Sequence, residues 1–387
     1  MKPNDEPILL DDALWDELIT LTGGEAAACY QCGVCTAICP WGLVKEETFS
    51  VRTLIRRAQL GLPGGADVLW LCTTCGECEA YCPRGVDIPN VFRALRGVAW
   101  QRREAPEGLP SLLWSNYWND NPWGQPPSQR MQWAQDLELP LFDPAEHEIL
   151  YYVGSTAAYD KRAQQIARAL VKVFRAAGIA FGVLGVHEPP DGAEILDVGH
   201  RRYFAEVAEQ SAEVFRTHGV TRLVTTSPHS YDVFKQEYGR FYAALQPLHY
   251  TQYLAELLSA GRLHFAKPLA RKITFHDPCY LARHNDETVA PRQVLAATLD
   301  TELLEMENSG AETLCCGGGG GRMWLETAAG ERFSDLRLDE ALETGAEVLA
   351  TACPFCLACL EDSVKARGIE QLQVLDIAEI VALTVAS

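Results

Sequence analysis

Fourteen cysteines, and the way they are grouped, limit this chain of 387 residues more than any other feature. Eight lie between Cys29 and Cys82, none in the 196 residues that follow, and six between Cys279 and Cys359. A disulfide framework belongs to small secreted domains. Residues 1–21 show no basic start followed by an apolar run, which argues against a secretory signal. Clustered thiols in a reducing cytoplasm read as metal ligands. A net charge of −19 repels phosphate backbones and argues against nucleic acid as a partner. The longest nearly unbroken apolar stretch, residues 176–186, is far below the ~18 residues of a membrane span. Membrane contact is therefore expected only through a partner, and the expected location is cytoplasmic. The length allows two or three domains.

Cys29, Cys32, Cys35 and Cys39 are spaced C-x2-C-x2-C-x3-C-P, and Cys72, Cys75, Cys78 and Cys82 repeat that spacing. This is the bacterial ferredoxin run, in which the fourth cysteine serves the other cluster. Three thiolates at this spacing wrap three corners of one cubane. The proline then directs the chain away, and the fourth corner is filled from elsewhere. Two [4Fe-4S] cubanes are expected, one on Cys29, Cys32, Cys35 and Cys82, the other on Cys72, Cys75, Cys78 and Cys39. Paired zinc sites are the alternative, but zinc calls for two pairs of thiolates rather than three in a row followed by C-P. Apolar spacing predicts helices over 46–60 and 88–100, so the domain over residues 1–104 reads as helical.

Residues 105–148 hold seven prolines, with Trp114, Trp118, Trp123 and Trp133 among them. They read as a connector, broken by proline, that packs its tryptophans onto the flanking domains. An electron relay through the rings is the alternative use.

From residue 148 the chain repeats itself. EILYYV and KITF open two segments as short strands, and LVTTSPHS at 223–230 returns as LATACPFC at 349–356, offset by 126 residues. Two α/β units follow, over 149–268 and 269–387. The second carries Cys279, 35 residues, Cys315-Cys316-Gly317, 35 residues, then Cys353 and Cys356. Alternating strands and helices would set each cysteine at the end of a strand, on one sheet edge, where five thiolates could hold a cluster larger than one ion. The fold class is thus α + α/β: a helical two-cluster ferredoxin-like domain followed by a duplicated α/β unit.

The array C-x35-CCG-x35-C-x2-C resembles the CCG domain of the heterodisulfide reductase family. The arrangement is similar to the D-subunit type, equivalent to fused C and B subunits. It is also similar to the K subunit of the membrane-bound Dsr complex, the glycolate oxidase iron–sulfur subunit, and oxidoreductases joining electron-transfer flavoprotein to quinones. The resemblance implies a non-cubane [4Fe-4S] cluster on Cys279, Cys315, Cys316, Cys353 and Cys356, with the chemistry located there. Cys359 is an extra thiol, read as a packed spectator rather than a ligand. The repeat offset maps the five ligands onto Ser155, the Pro190-Asp191-Gly192 segment, Ser227 and Ser230. None carries sulfur, so the first unit should hold no cluster. It is expected to persist as scaffold, with substrate binding by Ser155, Asp191, Ser227 and His229 as the alternative.

Five glycines at 317–321 match neither a P-loop nor a dinucleotide fingerprint and read as close backbone approach to cluster sulfurs. His276 and Asp277 precede Cys279, and Arg283 and His284 follow it. A proton donor near the cluster and a structural histidine are both open readings. No flavin, haem or nicotinamide signature is present, so hydride chemistry would belong to a partner: a flavoprotein, electron-transfer flavoprotein or membrane cytochrome. Two functions compete. One is an oxidoreductase subunit acting on a thiol or disulfide at the C-terminal cluster. The other is a pure electron-transfer subunit with no substrate chemistry.

Overall fold

A computed structural model describes residues 12–44, 49–62, 65–328 and 330–386. The stretch 1–21, where no secretory signal is expected, and the helix expected over 46–60 lie partly outside the described residues. Within them, the second of these is the helix Val51–Gln59. Ser50 caps it by accepting from the Thr53 N–H at 3.2 Å. The helix Ile88–Gln101 begins at Asp87, which accepts from the Asn90 N–H at 2.8 Å. Its second residue is Pro89, tolerated because the first turn lacks an N–H partner in any case. Leu14 and Leu18, from the helix Asp12–Leu21, pack with Ala58, Ala94 and Val98 and seal the three helices together.

The chain then forms two parallel sheets. Strands β1 (Ile149–Tyr152), β2 (Phe181–Gly182), β3 (Arg222–Thr225) and β4 (Gln246–His249) pair in the order β2-β1-β3-β4. Strands β5 (Ile273–Phe275), β6 (Val348–Thr351) and β7 (Gln373–Asp376) pair in the order β5-β6-β7. Most strand residues are buried on both faces, as all-parallel sheets demand. Between the sheets the helix Gln164–Ala176 packs on Ile377–Thr384, and Tyr250–Ser259 packs on Val289–Thr298. One apolar core therefore runs through both sheets. Arg162 ties them from outside, reaching Glu361 and both carboxylate oxygens of Glu379 at 2.8 and 2.9 Å. Among the described residues no helix is long and apolar enough to cross a membrane.

The connector departs from expectation. The helix Gly108–Asn119 forms because Pro110 falls in its first turn, where a missing N–H costs nothing. Trp133 is buried, and Trp123 packs edge-on against Trp324 with ring centroids 6.3 Å apart. Trp114 and Trp118 instead face outward, 61% and 70% exposed, so they do not pack on flanking domains. They lie on the side of the helix opposite the buried Leu109, Leu112 and Asn116.

Candidate metal centres

Both ferredoxin runs wind the same way. The residue before the second cysteine, Gln31 or Thr74, has φ of 67° or 53°, and the glycine after it, Gly33 or Gly76, has φ of 91° or 79°. Left-handed backbone at a non-glycine residue costs about 1–2 kcal/mol. Here it turns successive thiols of each run towards a common point. Short helices, Val34–Ala37 and Glu77–Ala80, follow each glycine.

Cys29, Cys32, Cys35 and Cys82 line one small void. Burial raises the Cys35 thiol, and the charges of Cys29, Cys32 and Cys82 push it further. Cys39 crosses to the other group: burial pushes it up, and it feels Cys75 and Cys72. Cys78, raised by burial, feels Cys75, Cys72 and Cys39. Backbone N–H groups of Thr74 and Val86 donate to the sulfurs of Cys72 and Cys82, each at 3.4 Å, and Gln31 Nε2 donates to Cys29 Sγ at 3.4 Å.

The C-terminal thiols come from three places. Cys279 opens a short helix after β5, and Cys353 and Cys356 sit at the start of the helix Pro354–Arg367 after β6. Cys315 and Cys316 lie on a loop rather than at a strand end, contrary to the expectation that each cysteine closes a strand. All five are buried. Cys315 lies beside Cys279 and Cys75, raising both thiols, and its sulfur is 3.6 Å from Thr73 Oγ1, so the second ferredoxin group abuts the C-terminal group. Cys316 meets Cys356, which meets Cys353. One ring nitrogen of His276 and the sulfurs of Cys316 and Cys356 lie within 4.8 Å of one another. Cys359 is half-buried with its sulfur 3.6 Å from Met323 Sδ.

The chemistry of these donor sets fits iron–sulfur clusters. Contact with Cys315 and then burial raise Cys75 and Cys279, and burial and neighbouring thiols raise Cys356. Bare thiolates packed so closely oppose one another's ionisation, and a positively charged metal removes that opposition.

The glycine run meets its expected role at one residue and takes on another at two more. Gly317 N–H does donate to Cys315 Sγ, at 3.3 Å. Gly319 and Gly320, however, lie against the carbonyls of Thr73 and Cys72. A Cβ at either would fall 2.3 or 2.4 Å from those oxygens. The glycines therefore let the second ferredoxin loop dock on the C-terminal loop. Arg283 reinforces the seam by donating to the carbonyls of Cys75, at 2.8 Å, and of Thr313.

The sulfur-free unit contributes to this centre through Asp197, which its sequence did not single out, and through His229, which stood out there only as a substrate-binding candidate. Asp197 accepts from Arg93 at 2.7 Å and from Tyr280 at 2.8 Å, with His229 Nδ1 at 3.8 Å. Tyr280 is stacked between His229 and His284, with centroid separations of 3.8 and 4.3 Å. His284 Nε2 reaches the Thr74 carbonyl at 2.8 Å. Burial opposes the charged form of His229, but nearby Asp197 and Cys353 outweigh that and raise its pKa. Arg96, fully buried, donates to the carbonyls of Asp197 at 2.7 Å and Cys72 at 2.6 Å. No local spacing signals Asp197, Arg93 or Arg96, because their partners lie far away in sequence. Other candidates are taken up by internal bonds. Asp191 accepts from Ser230 at 2.6 Å, Ser227 caps the helix Pro228–Gln236, and Ser155 opens the helix Ser155–Tyr159. Asp277 holds Arg292 through both oxygens, at 2.7 and 2.9 Å.

Family comparisons match this layout. A 4Fe-4S dicluster domain matches residues 25–86, and a cysteine-rich CCG domain matches 273–361. A probable membrane-anchored ferredoxin of Chromohalobacter salexigens is 33% identical over 96% of this chain and 61% of its own length. An EtfAB:quinone oxidoreductase of Syntrophomonas wolfei is 33% identical over 82% of this chain and 46% of its own. The D subunit of the dihydromethanophenazine:CoB–CoM heterodisulfide reductase of Methanosarcina barkeri is 28% identical over 92% of this chain and 93% of its own. The chain thus spans about half to three-fifths of the first two relatives.

Proposed function

We propose that this chain, which carries a 4Fe-4S dicluster domain and a CCG domain and is similar to heterodisulfide reductase D subunits, carries electrons through two cubane clusters to or from a non-cubane cluster. Cys29, Cys32, Cys35 and Cys82 hold the first, and Cys72, Cys75, Cys78 and Cys39 the second. Cys279, Cys315, Cys316, Cys353 and Cys356 hold the third, in the second of two duplicated α/β units. When bound, the clusters supply one-electron redox chemistry. The protein's part is to set their spacing, exclude water and supply N–H donors to sulfur. The observation that carries this reading is the docking of the Cys72–Cys75 loop on the C-terminal thiols, with Cys315 Sγ 3.6 Å from Thr73 Oγ1 and Arg283 donating to the Cys75 carbonyl at 2.8 Å.

Thiol–disulfide chemistry at the third group is favoured by a cavity of about 190 Å³ that touches Cys316 and is lined by Trp41, Thr73, Arg322, Met323 and Cys359. The pure electron-transfer reading draws on the burial of all five C-terminal thiols. The partner in this reading is a flavoprotein, electron-transfer flavoprotein or membrane cytochrome, through which the membrane is reached; the likeness to an EtfAB:quinone oxidoreductase and to a probable membrane-anchored ferredoxin supports a redox partner in general.

Anaerobically purified protein should hold about twelve irons, four for each of three clusters. Cys316→Ala should remove one paramagnetic signal and leave two. About eight irons in the wild type removes the third cluster from the proposal. Adding a thiol after oxidation should alter the third signal if substrate sulfur binds there, and an unaltered spectrum favours pure electron transfer.

A further inference from the structure

His276 sits directly after β5 with no exposure to solvent, its backbone N–H donating to the Ala350 carbonyl at 2.8 Å. Arg337, also fully buried, reaches it from the helix Phe333–Glu343 and donates from Nε to His276 Nδ1 at 3.1 Å. The guanidinium is held in place by Glu340 and by the Asn308 carbonyl at 2.7 Å.

This contact settles the tautomer by elimination. A guanidinium can only donate, so Nδ1 must present its lone pair. A neutral imidazole then carries its proton on Nε2. Among the described residues Nε2 has no hydrogen-bond partner. An orphaned buried donor costs about 1–3 kcal/mol, so a partner is to be expected. The near neighbours are sulfurs: those of Cys316 and Cys356 lie within 4.8 Å of a His276 ring nitrogen and of each other.

We propose that His276 is a positioning residue that donates its Nε2–H to sulfur at the C-terminal cysteine group, and that Arg337 imposes this by occupying Nδ1. His276 is not an iron ligand. Ligation through Nε2 would need the lone pair that the tautomer denies it. Hydrogen bonds to cluster sulfur stabilise the reduced, more negative form and raise the potential. The proposal rests on the functional reading above.

Redox titration followed by electron paramagnetic resonance tests it, with iron counted in every sample. His276→Leu should keep its iron and shift the third midpoint to a more negative value, leaving the first two in place. His276→Gln, which keeps an N–H donor, should restore part of the shift. In wild-type protein labelled with 15N-histidine, pulsed measurements should show only weak nitrogen coupling and a coupled proton that exchanges in D2O. Comparing this signal with that of His276→Gln assigns it to His276 and decides the matter if His276→Leu does not fold. A third midpoint unmoved in His276→Leu, or a ligand-strength 15N coupling lost in His276→Gln, overturns the proposal alone. A wild-type chain with two clusters and no third overturns the functional reading and this proposal with it.

Discussion

Gly319 offers a direct test of how the ferredoxin loop meets the C-terminal loop. Its φ is not in the left-handed region, so replacement by alanine adds no backbone strain and isolates one contact. The new Cβ would lie 2.3 Å from the Thr73 carbonyl oxygen, whereas real contacts hardly fall below 3.0 Å. The loops must therefore part by about 0.7 Å, an overpacking that costs about 1–3 kcal/mol. The group that must yield is backbone, between Cys72 and Cys75, and cannot rotate away as a long side chain could. Separating it also draws Cys75 from Cys315. Gly239→Ala is the control, since nothing lies within 4 Å of its Cβ position. Thermal unfolding followed by tryptophan fluorescence and by visible cluster absorbance should show Gly319→Ala melting several degrees lower, with Gly239→Ala unchanged. If both variants melt with the wild type, the two loops do not meet as described and the glycine run needs another explanation.

Replacing Arg96 by methionine should cost about 3–6 kcal/mol, because two short hydrogen bonds from a charged donor are worth about 1.5–3 kcal/mol each. Denaturant unfolding should show it; a loss under about 1 kcal/mol would mean that the carbonyls of Asp197 and Cys72 find other donors. His249 should make stability depend on pH. Burial lowers its pKa to about 3, whereas the unfolded chain takes up a proton near pH 6.5. The unfolded state therefore binds more protons between these values, and stability is lost as pH falls from about 6.5 towards 3, by up to about 1.4 kcal/mol per pH unit. Unfolding curves of His249→Gln against the wild type should differ most in slope over that window, and parallel curves would refute the assignment.

The ferredoxin runs are legible in the sequence because their geometry is local: each thiol and the turn that aims it lie within eleven residues. The strands and the helix Ile88–Gln101 are legible for the same reason, from short periodic patterns. The glycine run is visible as a feature, but its role is not, since the atoms it accommodates belong to Cys72 and Thr73, more than two hundred residues earlier. Arg96, Asp197 and Tyr280 act through partners about 25 to 100 residues away and carry no spacing signal. In the connector a count of prolines misleads, because what matters is where each one falls. Pro110 enters a first turn and permits the helix that other placements would break. In the sequence His229 stands out only as a substrate candidate, and its stacking on Tyr280 depends on the meeting of the two sheets.

The apolar core that passes through both sheets bears on what this chain could discard. The helix Ile377–Thr384, from the cysteine-bearing half, rests on Gln164–Ala176, from the half without sulfur. Removing the half without sulfur would leave a greasy flank of the other half open to water. A half that holds no thiol thus still serves as a wall for the half that does.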